Sequence, residues 1–219
     1  MKLVDTTLVH RVLTPERSSA DKHPTVIMLH GRGADEEDLL GLSPHLDDRL
    51  LIISARAPYP FSFGGGYTWF DIDETGIPEP GMFQSSYDRL ISFTEDVLKN
   101  YPVDEQRMFL LGFSMGTMMS YVLALTEPHL FRGVIANSGY VPEQTGLVLK
   151  WKELSKVDFF IAHGTFDPAI PVDLARRTRD LFQSSNASVT YREYPMGHEI
   201  SPESLSDIAR WLKVRLDGD

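Results

Sequence analysis

The sequence predicts an α/β fold, a mainly parallel central sheet with helices on both faces. Two observations carry that expectation. Short apolar runs recur at 26–29, 50–53, 108–111, 133–136 and 157–162, each bounded by turn residues; runs apolar throughout read as strands buried on both faces. Segments of helical period lie between them, and such alternation belongs to parallel strands joined by crossover helices. At 219 residues, with neither an internal repeat nor a shift of composition, the whole chain reads as one domain.

In order, the first strand leads into a glycine-rich turn, His30-Gly31-Arg32-Gly33-Ala34-Asp35. After the second strand, residues 57–70 hold two prolines, three adjacent glycines and six aromatic side chains, more than a connection needs. This segment reads as a functional loop lining a pocket. Phe83, Tyr87, Leu90, Ile91, Thr94, Val97, Leu98 and Tyr101 form the apolar stripe of a helix that Pro102 ends. Further helices are expected from Ser114 to about Leu125, Val172 to about Ser184 and Pro202 to about Val214, with a last strand near 189–194. Ligands of such sheets bind at the carboxyl ends of the strands.

Composition narrows the function. Twenty-one Lys and Arg against 31 Asp and Glu give a net charge of −10, which repels phosphate backbones, so no nucleic-acid partner is expected. With no cysteine, a thiolate nucleophile and a Cys-based zinc site are excluded. The opening Met1-Lys2-Leu3-Val4-Asp5 starts no signal-peptide apolar region, and no run of about 18 apolar residues exists. The expectation is a cytoplasmic protein without stable membrane association or cofactor; a homodimer is left open.

Gly112-Phe113-Ser114-Met115-Gly116 matches G-x-S-x-G, with a buried strand before it and a helix after. That arrangement is a nucleophile elbow, which exposes the serine at the sheet edge beside a helix N-terminus. A serine hydroxyl needs a histidine base. In elbow folds the order is serine, acid, histidine, leaving His129, His163 and His198 as candidates. His198, between the last strand and the last helix, is best placed. Among the carboxylates between them, Asp158 sits at the wrong end of its strand, Asp173 and Asp180 fall on a helix, and Glu193 is inside the last strand. Asp167 follows a strand at the edge that carries Ser114 and is the favoured acid. The backbone N–H groups of Met115 and Arg32 would hold the oxyanion. Metal-assisted hydrolysis through His163 and Asp167 lacks further ligands.

The glycine turn, Trp69-Phe70-Asp71, the serine motif, His163-Gly164-Thr165-Phe166-Asp167-Pro168 with Pro171, and Gly197-His198 resemble the phospholipase/carboxylesterase family of α/β-hydrolases, which includes acyl-protein thioesterases. The resemblance spans almost the whole chain and is nearer to the bacterial carboxylesterases. It implies a serine esterase acting on small ester substrates, with Ser114, Asp167 and His198 as triad and Arg32 and Met115 as oxyanion hole. It also implies that Trp69 lines the acyl pocket. Phe63, Tyr67 and Phe166 are further candidates for that wall. Thioesterase or lysophospholipase activity with the same triad, and an inactive binding module, are the alternatives. The thioesterases carry glutamine and leucine where this chain has Met115 and Arg32.

Overall fold

The computed structural model describes residues 3–17, 21–73 and 77–218. Nine strands and four α-helices follow in the order β1 (His10–Leu13), β2 (His23–Leu29), a 3-10 helix (Asp38–His45), β3 (Leu51–Ala55), β4 (Tyr59–Pro60), β5 (Tyr67–Thr68), α1 (Pro80–Asn100), β6 (Val103–Phe113), α2 (Met115–Thr126), β7 (Gly133–Asn137), β8 (Asp158–Gly164), α3 (Val172–Phe182), β9 (Ser188–Tyr194) and α4 (Pro202–Asp217). Seven strands form one sheet in the order β1-β3-β2-β6-β7-β8-β9. Only β1 runs antiparallel, at the edge beside β3.

The inner strands carry continuous apolar runs because each feeds two cores. Ile27, Leu29, Ile53, Leu110, Val134 and Phe159 point to the face covered by α1, α2 and Phe182 of α3. Val26, Met28, Ile52, Phe109, Ile135 and Phe160 point to the other, under Leu205, Ile208, Trp211 and Leu212 of α4. Every residue of α2 is buried, so it shows no polar face, whereas α1 keeps the stripe the sequence displays. Glu79 caps α1, accepting from the Gly81 and Met82 N–H groups, and Ser201 caps α4 through the Ser204 N–H.

Neither β1 nor the 3-10 helix is announced by the sequence pattern. β1 is a four-residue edge strand with a mixed burial pattern, and Pro44 interrupts the apolar period of the 3-10 segment. The loop 57–70 closes on itself as the small hairpin β4–β5. No helix among the described residues is long and apolar enough to cross a membrane.

Candidate active site

Ser114 stands between β6 and α2 with φ 53° and ψ −117°, a backbone region that side-chain-bearing residues rarely adopt. The turn is so tight that a Cβ on Gly112 would run into the Thr117 backbone, and one on Gly116 into the Leu29 carbonyl. Neither glycine has positive φ; both are there for close approach. Thr117 ties the turn to β7: its hydroxyl donates to the Asn137 carbonyl at 2.7 Å and accepts from the Asn137 N–H at 3.0 Å. The Ser114 N–H donates to the same carbonyl at 2.9 Å.

Asp167 and His198 come from the loops after β8 and β9 and meet at the same sheet edge. His198 Nδ1 lies 2.7 Å from Asp167 Oδ2. Asp167 Oδ1 accepts from the N–H groups of Ala169 and Ile170 at 2.9 and 2.8 Å. Burial alone would raise the Asp167 carboxyl, but the Ile170 N–H, the His198 ring and the Ala169 N–H outweigh it and hold the group below its ordinary value. An ionised carboxylate only accepts, so Nδ1 carries the proton and His198 Nε2 is left with a free lone pair. His163, wholly buried, donates from Nε2 to the Ile170 carbonyl at 2.9 Å and stands 3.5 Å from Asp167 Oδ2, bracing the acid loop. His129 is surface-exposed beside Glu127, and Glu193 is paired with Arg176. Among the described residues no three His, Asp or Glu side chains are grouped to hold a metal ion.

The glycine turn after β2 lies against Ser114: a Cβ on Gly31 would stand 3.3 Å from Ser114 Cβ. His30 fixes that turn from beneath. Its Nδ1 bonds the Gly31 carbonyl at 2.7 Å and its Nε2 accepts from the Ala57 N–H at 3.0 Å, a neutral ring that burial keeps neutral by lowering its pKa. Gly33 and Ala34 pair with Tyr67 of the hairpin at 2.8 Å each way.

Gly31, Arg32, Ile72, Phe113, Ser114, Met115, Met118, Tyr140, Ala169, Ile170, Leu174 and His198 line one cleft of about 480 Å³. Ser114, His198, Arg32 and Met115 therefore share it, with Asp167 directly behind His198. None of the four aromatic residues expected on its wall, Trp69, Phe63, Tyr67 and Phe166, is among these lining residues. Trp69 is 0% exposed, its Nε1 donating to the His30 carbonyl at 2.9 Å, because an indole satisfied on both faces and at its N–H belongs in the core. Tyr67 serves the glycine turn and Arg56, 3.1 Å from its hydroxyl. Phe63 and Phe166 are 83% and 73% exposed and are not among the residues lining the cleft. The apolar wall is instead Ile72, Phe113, Met118, Tyr140, Ile170 and Leu174. Tyr140 and Ile170 could have been found by the rule that ligands gather at strand carboxyl ends, since they follow β7 and β8 closely.

The family model for phospholipase/carboxylesterase matches residues 12–216. Acyl-protein thioesterase 1 of Candida albicans is 27% identical over 227 residues, covering 94% of this chain and 97% of the relative. The solved carboxylesterase from Mesorhizobium loti superposes with a TM-score of 0.84 at 21% identity, covering 99% of this chain and 98% of that one. The Bacillus cereus carboxylesterase gives 0.82 at 24% identity, covering 94% and 93%.

Proposed function

Because the chain belongs to the phospholipase/carboxylesterase family, we propose that it is a serine hydrolase that cleaves carboxylic esters of short to medium acyl chain through an acyl-enzyme intermediate. The observation that carries this reading is Ser114, held at φ 53° on its strand-to-helix turn, sharing a cleft with a histidine whose far nitrogen is fixed by a buried carboxylate.

The chemistry follows from that arrangement. His198 Nε2 takes the Ser114 proton as Oγ attacks the acyl carbonyl, and Asp167 stabilises the imidazolium that forms. The Met115 N–H, at the start of α2, and the Arg32 N–H receive the developing oxyanion. His198 then protonates the leaving alcohol, and water repeats the cycle on the acyl-enzyme. A cleft of about 480 Å³ with mostly apolar walls suits a small ester. The relatives named as acyl-protein thioesterases keep a thioester within reach of the same triad.

Fluorophosphonate labelling followed by mass spectrometry tests the nucleophile, with a single adduct on Ser114 expected. Rates on nitrophenyl esters of rising chain length, beside matched thioesters, then define the substrate. Asp167→Asn should cost about 10⁴ in turnover by analogy with other triads, while Asp173→Asn, on an exposed side chain of α3, should leave it near wild type. Absence of the adduct and of all hydrolysis would favour a binding module.

A further inference from the structure

A chain of net charge −10 repels small anions, yet no carboxylate is among the described side chains that line its cleft. Among those side chains, Arg32 is the one with a permanent charge. The N-terminus of α2 adds to the positive potential there.

Most other arginines are neutralised by carboxylates. Glu36 holds Arg56 at 2.5 and 2.6 Å, Glu193 holds Arg176 at 2.8 Å, and Asp158 holds Arg215 at 2.7 Å. Arg32 is exposed and has no carboxylate within ion-pair distance among the described residues; its guanidinium carbon stands 5.6 Å from the Phe61 ring. The acidic run that follows does not supply a partner. Glu36 is committed to Arg56 and Glu37 to Arg11 at 2.8 Å, while Asp35 accepts the Glu37 N–H at 2.9 Å. Arg32 directly follows the glycine that lies against Ser114 and is one of the residues lining the cleft.

We propose, building on the esterase reading above, that Arg32 selects esters carrying a carboxylate close to the bond that is cleaved. A guanidinium presents a planar fork of donors that matches a carboxylate. A single unpaired cation balances one negative charge, whereas a doubly charged phosphate monoester would need a second that the cleft lining does not offer.

The test compares kcat/KM within isosteric pairs. Monomethyl succinate against methyl levulinate places the carboxylate on the acyl half; acetoxyacetate against acetoxyacetone places it on the alcohol half. The wild type should prefer the anionic member of one pair. That preference should fall roughly fivefold or more in Arg32→Gln, be largely kept in Arg32→Lys, and invert in Arg32→Glu. Raising the salt concentration should weaken it in the wild type. Because each ratio is taken within one variant, any general loss of activity cancels. Cleavage of the esters with ratios that Arg32→Gln and Arg32→Glu leave unchanged in both pairs would overturn the selection and leave the esterase reading standing. No cleavage together with no fluorophosphonate adduct on Ser114 would overturn both.

Discussion

A serine held at φ 53° and ψ −117° costs folding free energy, of the order of 1–3 kcal/mol for a residue in so sparsely populated a region. The surroundings enforce it: the Ser114 N–H, the Thr117 hydroxyl and the Asn137 amide are tied together, and the Asn137 side chain donates to the Gly112 carbonyl at 3.1 Å. Strain that persists under such constraint is the pattern of a site selected for placement rather than stability. Replacing Ser114 with Gly should therefore give a more stable protein than replacing it with Ala, by about 1 kcal/mol, or about 2–4 °C in Tm for a chain of this size. Both variants should lose the fluorophosphonate adduct. Equal melting temperatures in calorimetry would mean the backbone at 114 is not strained.

At the scale of elements, the acid and the histidine depend on two loops that are zipped together. The Thr165 N–H donates to the Tyr194 carbonyl at 2.8 Å and the Phe166 N–H to the Met196 carbonyl at 3.1 Å. They approach so closely that a Cβ on Gly164 would collide with the carbonyls of Met196 and Gly197, which are backbone and cannot swing aside. Gly164→Ala should thus push the His198 loop away from Asp167 and lower kcat by at least tenfold, since about 1 Å of misplacement in a catalytic group costs on the order of 100-fold. Gly146→Ala provides the contrast: nothing lies within 4 Å, and with φ 72° its cost is confined to backbone strain, so stability should drop with activity kept. If Gly164→Ala retained wild-type kcat, the loops would be adaptable and the close approach without consequence.

For the whole molecule, buried titratable groups set how stability follows pH. His10, whose Nε2 lies 2.6 Å from the Tyr101 hydroxyl, and His30 under the glycine turn both have pKa values lowered, first by burial. The unfolded chain takes up their protons near the ordinary value of about 6.5, before the folded protein does. Their contribution is complete above about pH 6.5 and is lost as pH falls through the lower folded values. Carboxylates follow further down with the same sign. Glu193, held by Arg176 and Tyr191, is lowered from 4.5 to about 2, so its share is present above about 4.5 and disappears as pH falls toward 2. Tm should thus be highest above about pH 6.5, decline gently toward pH 5 and steeply below about pH 4. His10→Gln should flatten the first decline, and a Tm constant from pH 7.5 to 5 would contradict the burial of neutral rings.

What the sequence determined by itself was the parallel sheet, its helices and the three residues proposed for catalysis. The reason is physical: strands buried on both faces must be apolar throughout, and the tight turn around Ser114 tolerates no Cβ at Gly112 or Gly116, so both features are written as local pattern. That Asp167 and His198 would stand at one sheet edge was legible because chain order and strand ends constrain where they can stand. Tertiary structure alone decided the wall of the cleft. Six aromatic residues in 57–70 look alike in sequence, yet packing sends Trp69 into the core with its N–H on the His30 carbonyl, leaves Phe63 in solvent and turns Tyr67 toward Arg56. Aromatic side chains bury wherever space and a hydrogen-bond partner coincide, and that coincidence depends on residues far away in the chain. Tyr140, Ile170 and Leu174 become neighbours of Ser114 only when β6, β7 and β8 are laid side by side, which no local period records.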